Sequence, residues 1–189
     1  MHPPTGSPRE VSAADLPWVI DLVRDVLGEF GLRFGEGSET DDEVTRLPGS
    51  YFDHGGGFWV AVDGAGVIIG TCGVFLLTES EYELRKMYLR PAARGTGAGQ
   101  LQMDTCVAFV RSRGAKRLVL DTTHDMRRAI AFYERNGFVR DDAQIRGLAV
   151  PGGMRASSDP LTMVAARRRA RACSPCPPRA RSPGRANRT

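Results

Sequence analysis

A glycine-rich run, RGTGAG over Arg94–Gly99, joins a stretch of strand character ending at Leu89 to one of helical character starting near Gly97. Glycine lets backbone approach a ligand closely and adopt conformations closed to other residues. The first-turn amides of a helix lack partners inside it, and the dipole is positive there, so such a turn favours an anion. A phosphate or pyrophosphate is therefore expected at Gly95, Thr96, Gly97, Ala98, Gly99 and Gln100. Taken alone, the run admits three readings. A Walker loop fails, because no Lys-Ser/Thr follows. A dinucleotide fingerprint counted from Gly95 meets Gln100 at its third glycine, and RPAAR intervenes after the strand, although Asp121 does end the next one. The third reading is a glycine-rich helix start that holds nothing.

Tyr133 lies on the apolar face of a helical stretch, Asp121 ends the strand-like RLVLDT, and Glu83 enters another strand. His54 and His124 are outside candidates, imidazole being the side chain whose intrinsic pKa lies nearest neutrality. Cys72 and Cys106 sit in apolar surroundings and read as core. Cys173 and Cys176 form a CxxC with no second pair and no nearby His to complete a zinc site, so neither a metal nor cysteine chemistry is expected.

An alternation of periods positions these groups. A short strand over Arg9–Val11 precedes a helix carrying Leu16, Val19, Ile20, Val23, Leu27 and Phe30 at helical spacing, with Asp15 as cap and Pro17 in the first turn. A short helix over Asp41–Leu47 follows a polar, Gly-rich stretch. Phe58–Asp63 and Val67–Leu77 form a hairpin about DGAG, and Glu81–Leu89 is a further strand. Gly97–Arg113 is helical, with Gly99, Met103, Cys106, Val107 and Val110 on one face; Arg117–Thr122 is a buried-type strand. Asp125–Asn136 is helical, stopped by Gly137, and Phe138–Arg140 and Leu161–Ala165 close the fold. Antiparallel strands followed by a strand–helix–strand–helix unit read as α+β with a mixed sheet.

The 189 residues, 41% apolar, suit one domain with its own core. The longest apolar stretch, Val67–Leu77, is too short to span a bilayer, and MHPPTGSPRE holds no secretory segment, so a cytoplasmic protein is expected. The net charge of +4 belongs to the end of the chain. Eight of the 26 basic residues follow Ala165 without an acid, leaving 18 against 22 before it. That Arg/Pro-rich tail, 166–189, should be disordered. It lacks aromatics to stack on bases, so a nucleic-acid partner is not expected.

Three motifs in order resemble the GNAT family of N-acetyltransferases. RGTGAG fits the family's R/Q-x-x-G-x-G/A pyrophosphate loop, ELRKMYLRP (Glu83–Pro91) resembles its fourth strand, and AIAFYERNGF (Ala129–Phe138) its last helix and following strand. The resemblance implies a flexible N-terminus over 1–8 and a catalytic domain over 9–165. It implies a mixed, mostly antiparallel sheet of about six to seven strands flanked by about four helices. Acetyl-CoA is then the implied co-substrate, its acetyl group passing directly to an amine in a ternary complex without a metal.

The resemblance also distributes roles. Backbone at Met87, Tyr88 and Leu89 matches the segment that pairs with the pantetheine arm and stabilises the oxyanion. Arg94–Gln100 takes the pyrophosphate, and Tyr133 matches the tyrosine that protonates the leaving thiolate. Asp121 and Glu83 are rival bases, Asp121 being short enough to act through a water. Met126 stands where many members carry an asparagine on the cofactor arm, a contact that His124 or Asp125 would replace. The acceptor, a small molecule or a peptide amine, falls to the first helix, the segment after it and the closing hairpin. Phe30, Phe34, Tyr51, Phe52 and Trp59 make that side aromatic, and Glu29, Glu36, Glu39, Asp41, Asp42 and Glu43 offer an acidic rim to a cationic amine or simply a solvated loop. A homodimer is left open. The rival function is a non-catalytic acyl-CoA-binding or regulatory module of the same fold.

Overall fold

The computed structural model describes residues 6–36, 40–122, 126–141 and 162–167. Strand β1 (Pro8–Glu10) leads through a 3-10 turn (Ala13–Asp15) into helix α1 (Leu16–Gly28), with Pro17 in the first turn. Asp15 does not place its side chain as a cap on α1. Its carboxylate turns back and accepts hydrogen bonds from the amide and hydroxyl of Ser12 (2.8 Å each) and from two Arg9 nitrogens (2.7 and 2.8 Å). Arg9 foremost, then Ser12, hold the Asp15 carboxyl well below the usual carboxylate range. A carboxyl lowered on folding contributes stability above its unfolded value, near ~4, that is lost as pH falls towards its folded value. Asp15→Asn is expected to cost about 1–2 kcal/mol at neutral pH, discounted for the half-exposed Arg9, and to flatten the loss of stability below about pH 4. Urea melts across the acid range that show the same slope for both proteins would contradict this.

The chain continues through α2 (Asp41–Thr45), α3 (Gly49–Phe52), β2 (Gly57–Val62), β3 (Ile68–Thr78) and β4 (Glu81–Leu89). A 3-10 turn (Pro91–Ala93) precedes α4 (Ala98–Ser112), β5 (Arg117–Thr122), α5 (Arg127–Arg135), β6 (Val139–Asp141) and β7 (Thr162–Arg167). The strands form one mixed sheet in the order β1-β2-β3-β4-β5-β7-β6, and five of the seven are six residues or longer.

Several expectations need correction. The first three pairings are antiparallel and the last three parallel, so the sheet divides evenly instead of being mostly antiparallel. β6 and β7 run parallel, so they make no closing hairpin. The described residues contain five α-helices; the unforeseen α3 is a single turn that buries Tyr51, too short for periodicity to register. The last strand reaches Arg167, two residues beyond the expected boundary. Residues 1–5 and 168–189, the CxxC included, lie outside the described residues.

Strand alternation sends side chains to two cores. Phe58 and Val60 of β2 join Val19, Leu22, Val23 and Val26 of α1 on one face. Trp59, between them, joins Met103, Cys106 and Val110 of α4 on the other, with Val74, Leu84, Leu118 and Leu120. Each fully buried aliphatic side chain contributes roughly 2 kcal/mol. Of the five aromatics on the acceptor side, read as core more than as a substrate box, two are core: Tyr51 packs edge-on against Phe58 (5.1 Å) and Phe75 (5.7 Å), and Trp59 against Phe109 (5.1 Å). Among the described residues no helix is long and apolar enough to cross a membrane.

Candidate active site

Strands β4 and β5 run together only from Glu81 opposite Arg117 to Leu84 opposite Leu120. Beyond Leu84 they part, and among the described residues one edge of β4 from Arg85 to Leu89 has no strand on it. On its other side β4 carries a bulge. Arg85 faces Gly73 and Tyr88 faces Thr71, so Lys86 and Met87 together oppose Cys72. Lys86 adopts a left-handed φ of 52°, uncommon for a residue with a side chain. The Thr71 hydroxyl donates to the Lys86 carbonyl at 2.8 Å.

A cavity of about 1160 Å³ fills the parting. It is bounded by Glu83, Met87, Tyr88 and Leu89 of β4, by Arg94, Gly95, Gly97, Gly99 and Gln100, and by Asp121, Met126 and Tyr133. Residues far apart in the chain and singled out for chemistry thus share one wall. Thr96 and Ala98 do not line it. The Thr96 hydroxyl donates to the Ala93 carbonyl (2.8 Å), and Ala98 is buried beneath the N-terminal segment, where a Cβ on Gly6 would come within 2.8 Å of it. His54 is exposed and stacks on Phe75 (6.0 Å), outside the cavity. His124 and Asp125 lie outside the described residues.

The glycine loop has the form its sequence demands. Gly95 (φ 77°) and Gly97 (φ 93°) are left-handed, and a Cβ on either would meet nothing within 4 Å, so conformation and not space requires glycine. The Gly97 carbonyl accepts the amides of Gln100 (3.0 Å) and Leu101 (3.1 Å), which starts α4. The Arg94 guanidinium makes a bidentate pair with Glu29 (2.7 Å twice) and caps the Leu89 carbonyl (2.9 and 3.0 Å). Its side chain therefore bolts the loop to the end of α1, leaving the main chain to face a ligand. Arg90 repeats the device on Asp21 (2.9 Å) and Asp25 (2.7 Å). Gln100 is likewise engaged, donating to Asp104 (2.9 Å) and to Asn136 (2.8 Å) beyond α5.

Among the proton-moving candidates, Tyr133 packs between Phe132 (5.8 Å) and Phe138 (5.7 Å). Burial pushes its phenol well above the ordinary value, with lesser contributions from Tyr88, Cys106 and Cys72, so it stays a proton donor through the neutral range. Burial and then Asp41 raise Tyr88 to about 12. Cys72 and Cys106 are buried free thiols, and burial raises Cys72 further, so it makes a poor nucleophile. The Glu83 carboxylate is held by Arg85 at 2.5–2.6 Å, and Arg85 also grips Glu43 (2.6 and 2.7 Å) beneath the Phe75 ring (4.1 Å). Such a carboxylate is committed to its ion pair. Asp121 is exposed on β5, across the parting from β4.

The acidic rim does not survive as drawn. Asp41 is 1% exposed, paired with Lys86 and accepting the Gly35 amide (2.8 Å); Glu29 and Glu43 are paired as above, and Glu36 meets Arg33 at 3.5 Å. Glu39 lies outside the described residues.

Two features went unforeseen. Gln102 of α4 is 0% exposed, lines the cavity, and has neither Nε2 nor Oε1 hydrogen-bonded. Its spacing from Gly99 and Cys106 already put it on the buried face, and a Cβ on Gly70 would fall 2.6 Å from its Nε2. A buried polar group without a partner costs about 1–3 kcal/mol. Gln102→Leu is accordingly expected to raise the unfolding free energy of the ligand-free protein by about 1 kcal/mol or more. A lowered denaturation midpoint would count against it. The second feature is Arg127, Arg128 and Arg135 of α5. All three are exposed, line the cavity and make no ion pair among the described residues. Arginine in a helix's first turn opposes the helix dipole, so Arg127 and Arg128 await an anion more than they serve the helix.

Comparison with known proteins agrees with this geometry. The sequence profile of the Acetyltransferase (GNAT) family matches residues 22–138. An uncharacterized N-acetyltransferase of Escherichia coli (strain K12), YjgM, is 35% identical over 138 residues, covering 71% of this chain and 82% of that protein. One from Schizosaccharomyces pombe, C1271.07c, is 29% identical over 133 residues, with 68% and 81% covered. Among solved structures, an acetyltransferase from Streptococcus agalactiae superposes with a TM-score of 0.66 at 21% identity, covering 79% of this chain and 91% of that one. A predicted acetyltransferase from Clostridium acetobutylicum, solved with acetyl-CoA, gives 0.57 at 17% identity, covering 77% and 95%.

Proposed function

We propose that this chain, which belongs to the acetyltransferase (GNAT) family, moves the acetyl group of acetyl-CoA directly to an amine while both substrates are bound. One observation carries the reading: the parted edge of β4 and the left-handed glycine turn open into the same cavity. An extended arm laid on Arg85–Leu89 would pair with that edge as an added strand. Its diphosphate would then reach the main chain of Gly95–Gln100 at the start of α4. Arg127, Arg128 and Arg135 add positive charge on the facing helix.

The amine nitrogen attacks the thioester carbonyl carbon, the carbon–sulfur bond breaks, and two protons must be managed. Main-chain amides at Met87–Leu89, held in place by the bulge, would meet the negative charge growing on the carbonyl oxygen. The Tyr133 hydroxyl supplies the proton for the departing thiolate. The proton lost by the amine goes to Asp121, directly or through a water. Glu83, whose carboxylate is held by Arg85, is the rival claimant.

Calorimetric titration with acetyl-CoA, followed by amine-dependent release of the CoA thiol, tests the reading. Gly97→Ala should weaken acetyl-CoA binding by about tenfold, since an alanine at that φ costs roughly 1–2 kcal/mol unless the turn rearranges. Binding without turnover on any amine would favour a non-catalytic acyl-CoA-binding module. Absence of binding would end the proposal.

A further inference from the structure

We propose that the amine acceptor carries no anionic group beside its reacting nitrogen; this rests on the acetyl-transfer reading above. The cavity is partitioned by charge. On the cofactor side, Arg127, Arg128 and Arg135 stand without an ion pair among the described residues, which suits a ligand bearing phosphates. On the opposite side, formed by the end of α1, the segment leading to α2 and β4, every lining cation among the described residues is already matched. Lys86 is taken by Asp41, Arg33 by Glu36, and Arg85 by two carboxylates at once, while Arg94 of the glycine loop is tied to Glu29 at the end of α1.

The Arg85 cluster holds one guanidinium between Glu83 in the lining and Glu43 just behind it, so it carries one negative charge in excess. Its side chains are only 13–17% exposed, so solvent screens that charge poorly. A carboxylate or phosphate on the acceptor would enter without a partner and next to like charge. An amino acid recognised through its α-carboxylate does not fit this wall. A diamine, a polyamine or an uncharged-bodied peptide amine does. Arg33 is the one cation able to swing free, since its pair with Glu36 is 79% and 68% exposed and therefore weak.

The test compares acceptors that differ by one carboxylate: 1,5-diaminopentane against lysine, and alanine amide against alanine. Initial rates of CoA-thiol release at saturating acetyl-CoA are expected to give kcat/KM at least about tenfold lower for the carboxylate-bearing member of each pair. Glu43→Gln, which removes the excess charge, should shrink that ratio several-fold, and Arg33→Ala should leave it unchanged. Equal or faster acetylation of lysine and alanine overturns the proposal. So does an unaltered ratio in folded Glu43→Gln, or a ratio that widens several-fold in Arg33→Ala. Acetyl-CoA binding with no turnover of any of the four amines also overturns it, while a failure to bind acetyl-CoA overturns the underlying enzyme reading instead. If Glu43→Gln does not fold, the wild-type ratios alone decide.

Discussion

Tyr133→Phe lowers kcat by about a hundredfold or more while changing acetyl-CoA affinity by less than about twofold. The phenol sits at the cavity wall between Phe132 and Phe138, and removing one oxygen keeps both ring contacts. What disappears is the proton for the thiolate, whose conjugate acid has an ordinary pKa near ~8.5 and which is therefore a mediocre leaving group at neutral pH. Because burial keeps the Tyr133 phenol protonated far above neutrality, its own ionisation should leave no inflection in the wild-type pH–rate profile up to about pH 9. The check is steady-state kinetics beside calorimetric titration of the same preparation. Unchanged kcat in the Phe variant would remove Tyr133 from the chemistry and leave it as core.

Lys86→Met destabilises the protein by about 3–5 kcal/mol. The loss comes less from the ion pair than from what is left behind, a carboxylate at Asp41 that is 1% exposed and that, among the described residues, keeps the Gly35 amide. Lys86 is also the left-handed residue of the β4 bulge, so its side chain ties that backbone, where the proposed function puts the oxyanion, to the start of α2. The double variant Lys86→Met with Asp41→Asn should recover most of the stability, because the buried charge goes with its partner. It should not recover full activity, since the bulge has lost its anchor. Guanidinium melts of the two variants decide the first point: a single variant within about 1 kcal/mol of wild type would show that Asp41 finds another partner or water.

The sequence was most legible where a residue type answers a local demand. Gly95 and Gly97 were readable because a left-handed turn accepts little else, and the limits of β4 and β5 because alternation stops at Leu89 and Thr122. Glu83, Asp121 and Tyr133, named through motif order, line one space, whereas Thr96 and Ala98 do not and Gln102, Arg127, Arg128 and Arg135 were missed. Long-range pairing was not legible. Nothing local to Arg94 says that its guanidinium will cap Leu89 and reach Glu29, 65 residues earlier. The acids of residues 29–43 looked solvated because their partners, Arg85, Lys86 and Arg94, come from β4 and the loop after it. The parallel run of β6 and β7 depends on how residues 142–161 connect them, and no hydrophobic period reports that.

Only four residue pairs, Glu81–Leu84 against Arg117–Leu120, stitch the two parts of the sheet, with Arg117–Glu81 (3.0 Å) closing the stitched end. Although Leu118 and Leu120 share a core with Trp59 and Val74, a seam that short is expected to let β5, β7, β6 and α5 open at lower cost than β1–β4. Amide hydrogens there should exchange with solvent sooner in the ligand-free protein. A molecule wedged into the parting would touch both units, so occupancy would slow exchange on the far side of the seam as well as at the residues it contacts.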